Sequence, residues 1–432
     1  MRSFWSPDRR LQSMEDVMLA QYFKSPSHVQ LLLSRPGGPL LEEFSKSLKH
    51  FGYARSSGYA HLTAASHFLC WADQEGIPRP FGEIALAGFS AHLAQCQCRE
   101  FSHLRGVGAL RGARRFLMHQ GGIRPRPTGF AALESSLESG LFPAFCQWMR
   151  LQRGTRDITL CLQGNALRNL FEHIGNDANQ LDARYLRQFV LEQSKKTGWA
   201  AAKLCTTALR NLVRFLIAEG KCPAALIDAI PKLAHWRLSA LPQYLHMDDV
   251  ERIIASCDAA TSCGQRDRAI ILLLARLGLR AGDICQLRIG DIDWKGATIA
   301  LTGKNGRETL LPLTQEVGQA IVDYLQHGRS DTNTDTVFIR KCAPFQAFSH
   351  PAAVSTIVKN AMRRAGVVCP GRGAAHVLRH SVATSMLGQG ASLQDIAAVL
   401  RHQSIATTQI YAKVDIAALR QVVQPWPEQL PC

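Results

Sequence analysis

The sequence predicts a multidomain chain: two all-α modules in tandem, followed by a mixed α/β domain that is mainly helical with a small antiparallel sheet. Three observations predict it. At 432 residues the chain exceeds what one hydrophobic core usually serves. From residue 39 to 121, and again from 140 to 220, apolar residues recur at helix period with few β-branched runs. Two β-type runs occur only beyond about residue 242, and an Asn-Gly turn separates them.

Composition narrows the class. An apolar share of 46% is that of a globular chain and excludes a mainly disordered one. No apolar run approaches the roughly 18 residues that span a bilayer, and Met1–Arg10 lacks the apolar core of a signal peptide, so a cytoplasmic location is expected. The 13 cysteines are scattered with no CxxC pair, the tightest spacing being Cys96 and Cys98. They read as small buried apolar residues in a reducing compartment, with no metal and no cofactor expected. The net charge of +16 is uneven: residues 1–240 carry +12 and residues 241–432 carry +4. A basic first half suits a polyanion such as DNA, because neutralising phosphates releases counterions.

Each element follows in order. Ser34-Arg35-Pro36-Gly37-Gly38 breaks the chain before the first helical module. Gly121-Gly122-Ile123-Arg124-Pro125-Arg126-Pro127-Thr128-Gly129 marks an exposed linker after it. The two helical stretches read as copies. Ala109-Leu110-Arg111, Arg115-Phe116-Leu117 and Gly121 recur as Ala208-Leu209-Arg210, Arg214-Phe215-Leu216 and Gly220, and Phe44 and Arg55 have counterparts in Phe145 and Arg156. A Pro-containing connector covers 221–243. Then His246-Met247-Asp248-Asp249-Val250-Glu251 opens a helix with acidic residues in its first turn, favourable against the helix dipole. Asp267–Leu277 is an apolar helix stopped by Gly278, and another runs from near Arg280 to Leu287. Residues 297–301 and 308–313 read as strands joined by a tight turn at Lys304-Asn305-Gly306-Arg307. Helices are expected from Pro351 onward.

Six residues of the last domain form one chemical inventory. Arg280 follows the helix-stopping glycine, Lys304 sits at the hairpin turn, and His376 and Arg379 share a helix face. His402 ends the helix begun at Ser392, and Tyr411 follows nine residues later. Taken singly, each has an ordinary explanation as a surface charge or a packed ring. The pair His376 and His380 suits a metal poorly, because Val377 replaces the glutamate of a zincin and no third ligand is evident. Together they match phosphoryl transfer. Two guanidiniums clamp the phosphate oxygens, histidines share the proton work, a lysine protonates a leaving 5′-oxygen, and a phenol forms a reversible ester. Only Tyr324 and Tyr411 lie beyond Val250 among the 7 tyrosines. Tyr324 falls on an ordinary amphipathic helix, which leaves Tyr411 as nucleophile.

The order Gly-Leu-Arg, hairpin lysine, His-x-x-Arg-His, Leu-x-His-x-Ser and then tyrosine resembles the tyrosine recombinases, or phage-integrase family. The resemblance implies a catalytic domain over 242–424 and a SAM-like helical core-binding domain over 131–235; the helical extension over 1–130, which the internal repeat reads as a duplicated core-binding-like module, has no role given by the family. The resemblance implies that Arg280 and Arg379 bind the scissile phosphate, Lys304 is the general acid, His376 assists near the nucleophile and His402 bonds the phosphate. Tyr411 attacks to leave a 3′-phosphotyrosine and a free 5′-hydroxyl, with Asp283 and His380 in support. It further implies a clamp on double-stranded DNA, a homo-oligomer that becomes a tetramer in the synapse, related recombinases as partners, and no need for ATP or metal. A C-terminal helix over 414–423 would dock on a neighbouring protomer. Two departures stand out: Arg401 replaces the usual glycine before His402, and the N-terminal extension exceeds the minimal two-domain plan. The extension favours integration or transposition of a mobile element over housekeeping resolution. A recombinase-fold protein without catalysis, a type IB topoisomerase and a generic basic helical scaffold are the alternatives. A covalent adduct would exclude the first, and a need for two DNA sites the second.

Overall fold

The computed structural model describes residues 17–101, 106–125, 127, 129–233, 241–303, 308–371, 373–415 and 419–420. Lys304 and the rest of the hairpin turn lie outside the described residues, as do most positions of the expected C-terminal docking helix. The chain divides into two compact units. Residues 123–236 form one, and 1–122 together with 237–432 form the other.

The N-terminal part of the larger unit is helical throughout, with helices Pro26–Ser34, Gly38–His50, Arg55–Gln74, Glu83–Gln95 and Val107–His119. Pro26 opens the first, and the Ser25 side chain accepts from the His28 N–H, a favourable start because both remedy orphan groups of the first turn. The predicted breaker falls between the first two helices, where Gly37 takes φ +88°. Arg55–Gln74 and Val107–His119 approach closely. A Cβ on Gly112 would stand 2.4 Å from that of Ala64, so only glycine permits this contact. Phe44 and Phe116, both fully buried, meet edge to face with centroids 5.5 Å apart and planes at 70°.

The unit 123–236 is helical as well, with helices Phe130–Ser136, Phe142–Arg153, Asp157–Ala166, Arg168–Ile174, Ala183–Lys196 and Trp199–Ala218, and its core includes Phe142, Phe145, Leu209, Leu212 and Phe215. Phe145 and Phe215 meet at 5.9 Å and 65°, the same contact that Phe44 and Phe116 make. The basic residues lie on the outer faces of helices whose inner faces supply the core, the arrangement expected of amphipathic bundles.

The C-terminal part of the larger unit is mixed. Its centre is the helix Ser262–Arg276, earlier in its start than expected because Thr261 caps it by accepting from the Gly264 N–H at 3.0 Å. Ala269 to Leu274 are completely buried, so this helix is covered on all sides rather than amphipathic. Around it pack Met247–Ala255, Gln315–Asp323, Ala352–Arg364 and Ala374–Gly388. The sheet is antiparallel with order β1 (Ile292–Asp293), β2 (Thr298–Thr302) and β3 (Glu308–Pro312). In register, Ile299 opposes Leu311 and Ile292 opposes Ile299. The two longer strands match the sequence pattern; β1 is too short to show a period. The chain ends through Leu393–Val399, Ile405–Thr408 and a 3-10 turn, Gln409–Val414. No helix of the described residues is long and apolar enough to cross a membrane.

Phe145 is wholly buried and contacts Phe171 and Phe215, so Phe145→Ala should cost about 3–5 kcal/mol in urea unfolding, the range for a buried aromatic. Leu151→Ala on the same helix, 74% exposed, should shift stability by under about 0.5 kcal/mol. Equal effects would contradict this core.

Candidate active site

Two guanidiniums converge on one pair of turns. Arg280 is the N-cap residue of the helix Ala281–Gln286, and its own N–H donates to the Asp283 carboxylate at 2.9 Å. Arg379 lies on the helix Ala374–Gly388, 3% exposed. Its Nη1 donates to the Gly278 carbonyl and its Nη2 to the Leu400 carbonyl. Arg280 Nη2 donates to the Arg401 carbonyl at 2.9 Å. Main-chain carbonyls therefore aim both side chains, and among the described residues neither guanidinium forms an ion pair with a carboxylate. Carbonyl dipoles orient a guanidinium without cancelling its charge. The site keeps two positive charges in want of an anion, the requirement for holding a phosphodiester.

Both turns depend on left-handed backbone. Gly278 takes φ +58°, and a Cβ there would come within 2.6 Å of Leu400. Arg401 takes φ +52°, so arginine occupies the glycine-like conformation the departure from the family pattern placed in question. The backbone is retained, at the cost of left-handed strain. Arg401 offsets part of this by pairing its Nη2 with Asp283, both side chains being nearly buried. Asp283 thus serves two arginines: it caps the helix that carries Arg280 and neutralises Arg401.

Histidines line the other side. His380 Nδ1 lies 2.7 Å from the Tyr411 hydroxyl, and the His376 and His380 rings meet at 4.4 Å. His402 Nδ1 is held by Thr408 Oγ1 at 2.8 Å. His380, expected only as support, is the residue in contact with the phenol; His376 stands one turn away and exposed. Tyr411 is 1% exposed and packs with Ala383, Ile396 and Leu400. Tyr324 is also buried, with its hydroxyl 3.4 Å from the Ile339 N–H, and serves the core. Two contributors escaped the sequence reading: Thr408, which sets the ring of His402, and Arg401, whose ion pair no local pattern announces.

The electrostatics follow from burial under positive charge. Burial, then His376 and Arg379, push His380 down to about 4. Burial, then Arg379 and Arg280, push His402 to about 4; His376, open to solvent on one side, is lowered as well by the part of its ring packed inward and by the same two arginines. Burial, then Arg280, lower Arg379 to about 10, while burial, with a smaller push from Arg401, lowers Arg280 against the opposing pull of Asp283. Burial raises Tyr411 to about 12, with Arg379 pulling it back. The histidines are therefore neutral and able to accept protons. With its proton on Nε2, His380 can accept the phenolic proton of Tyr411 at Nδ1. A bound phosphate would offset the arginines and raise all three histidines again.

Two measurements test this site. Arg401→Ala and Arg401→Gly both lose the pair with Asp283, but alanine keeps the left-handed strain. Arg401→Ala should be less stable by about 1 kcal/mol, and equal melting temperatures would deny the strain. For pH, His380 and His402 titrate near 4 when folded and about 6.5 when unfolded. The unfolded chain therefore binds more protons between those values. The histidines' contribution to stability is complete above about pH 6.5 and is lost as pH falls toward 4. His380→Gln should flatten that decline in a series of melting temperatures; a parallel decline would remove His380 from the account.

Known proteins place the chain in a family. The Phage integrase family profile matches residues 243–417. An integrase/recombinase of Sinorhizobium fredii, y4rA, is 34% identical over 406 residues, covering 91% of this chain and 97% of that protein. The tyrosine recombinase XerC of Anoxybacillus flavithermus is 27% identical over 296 residues, covering 64% and 94%. Among solved structures, XerH recombinase in a post-cleavage complex with its difH substrate has a TM-score of 0.50 at 17% identity, covering 84% of this chain and 95% of that one. A lambda integrase tetramer on a Holliday junction also scores 0.50, at 16% identity over 70% and 86%. The profile, the near full-length relative and the arginine, histidine and tyrosine cluster agree: this chain belongs to the phage-integrase family of tyrosine recombinases, enzymes of site-specific DNA recombination that cut and rejoin DNA without ATP.

Proposed function

We propose that this chain breaks double-stranded DNA through Tyr411 and reseals it during integration or transposition of a mobile element. The observation that carries the reading is the 2.7 Å contact of the Tyr411 hydroxyl with His380, set beside two arginines whose guanidiniums have no carboxylate partner among the described residues. Arg280 and Arg379 clamp the scissile phosphate, and His402, steadied by Thr408, donates to one of its oxygens. The Tyr411 oxygen bonds to phosphorus, its proton passes to His380 or His376, and the 5′-oxygen leaves. Lys304 supplies the proton that makes this oxygen a hydroxyl. Religation runs the same steps backwards, so the phosphotyrosine conserves the energy of the broken bond.

The active form is a homo-oligomer on DNA, a tetramer in the synapse, by analogy with the lambda integrase tetramer on its junction. The domains run over 1–130, 131–235 and 242–424, and the first is a duplicate of the second. The two edge-to-face phenylalanine pairs support the duplication. The relationship to y4rA extends over 91% of the chain and so takes in most of the N-terminal helices; this shared longer plan favours a mobile-element enzyme over a minimal resolver.

A pool of randomised, nicked duplexes tests the chemistry without knowledge of the target. Wild type should yield detergent-stable protein–DNA adducts, and Tyr411→Phe none; adducts in both would move the nucleophile elsewhere. Lys304→Ala should slow cleavage by roughly 100-fold or more, typical for loss of a general acid. A 5′-bridging phosphorothiolate should largely restore its rate, because a thiolate leaves without a proton. Persistence of the defect on that substrate would deny Lys304 the acid's part. Sequencing of the trapped DNA, compared with the DNA flanking the chain's own gene, tests the mobile-element reading.

A further inference from the structure

The N-terminal helical module gathers four soft ligands that the recombination chemistry does not use. His67 comes from the helix Arg55–Gln74, His92 from Glu83–Gln95, and Cys96 and Cys98 from the segment that leaves the second helix. One donor atom from each lies within 4.8 Å of all the others. The two Nε2 atoms are 3.3 Å apart, Cys96 Sγ is 3.5 Å from His67 Nε2, and Cys98 Sγ is 3.7 Å from His92 Nε2. A tetrahedral zinc ion has bonds of about 2.0–2.1 Å to nitrogen and about 2.3 Å to sulfur, which set edges of roughly 3.3 Å between nitrogens and roughly 3.6 Å from nitrogen to sulfur. The three measured edges have those lengths.

Hydrogen bonding alone accounts for the cluster poorly. Each ring nitrogen offers one proton or one lone pair, yet each faces another nitrogen and a sulfur at once. A cation at the common centre takes one lone pair from each donor. The surroundings suit a closed structural site. His67 is 1% and Cys96 7% exposed. Phe101 stacks on His67 at 4.4 Å and 9°, and Phe89 meets its edge at 5.1 Å. Trp71 and Phe89 both pack against His92. The Cys98 N–H donates to Cys96 Sγ at 3.4 Å, the kind of outer contact that stabilises a thiolate ligand. A cavity of about 370 Å³ lined by His67, Cys70 and Cys98 gives an ion a way in.

We propose that His67, His92, Cys96 and Cys98 bind one Zn²⁺. Thiolate and imidazole donors in a tetrahedral array select zinc over magnesium or calcium, which prefer oxygen. Binding releases the two thiol protons to solvent, so two thiolates and the dication form a neutral unit that the aromatic shell can bury. The ion fastens the exit of the helix Glu83–Gln95 to the helix Arg55–Gln74, and supports the module independently of cleavage at Tyr411. Spacing concealed it: the chain has no CxxC pair, Cys96 and Cys98 are one residue closer than that, and the histidines arrive by helix packing.

The untagged full-length chain provides the test. Elemental analysis should find close to one zinc per chain for wild type and for Cys70→Ser, and almost none for a Cys96→Ser, Cys98→Ser double variant. Replacing zinc with Co²⁺ should give the strong visible bands of tetrahedral cobalt and a thiolate charge-transfer band, both saturating at one equivalent. His92→Cys keeps four ligands, so it should still bind one ion, with a stronger charge-transfer band. A chelator should lower the melting temperature of wild type and leave the double variant unchanged. Wild type that neither retains zinc after dialysis against it nor develops cobalt bands overturns the proposal. So does a double variant that binds as wild type does, or a His92→Cys band no stronger than the wild-type band.

Discussion

The active site depends on how two arginines, Arg379 buried and Arg280 half-buried, are held. A guanidinium inside a protein ordinarily takes a carboxylate partner, because an unpaired buried charge is costly. Here Arg379 and Arg280 rest on the carbonyls of Gly278, Leu400 and Arg401. Those carbonyls face inward only because residues 278 and 401 take left-handed backbone. Their dipoles fix direction and leave the charge available. The depressed histidines follow in part from this choice, since the arginine charges add to burial in lowering them; Tyr411 is raised by burial alone, against the pull of Arg379.

Much of this was legible in the sequence, and the reason is covalent order. Arg280, Arg379, His402 and Tyr411 lie on elements whose starts and stops are marked locally: Gly278 as a helix stop, Ser392 and Asp395 as a capping box, and the apolar run of the central helix. The two longer strands also announce themselves, as β-type runs on either side of an Asn-Gly turn. What lay hidden depends on packing. Whether His376 or His380 meets the phenol turns on where the 3-10 turn Gln409–Val414 docks, and the two histidines differ by one helical turn. β1 has only 2 residues, too few for any period.

Arg401 shows a second kind of hidden feature. A glycine would meet the backbone requirement without strain, and the sequence alone could not tell whether arginine alters the turn or adapts to it. It adapts, with its guanidinium returned to Asp283. The residue thereby links the helix after Gly278 to the turn before His402, two segments more than 100 positions apart in the chain. The cluster of His67, His92, Cys96 and Cys98 is hidden for the same reason: its members are assembled by helices meeting, not by short spacing.

The burial of Tyr411 can be restated as a population. With the phenol raised to about 12, the ionised fraction near pH 7 is on the order of one in 10⁵, and the hydroxyl is shielded from water. A chain meeting DNA briefly presents almost no phenolate, so accidental nicking is limited by that rarity. On the proposed reaction, attack therefore requires His380, 2.7 Å from the hydroxyl, to take its proton while the arginines hold the phosphate. The burial that hides the nucleophile would thus tie its activation to the presence of a held phosphate.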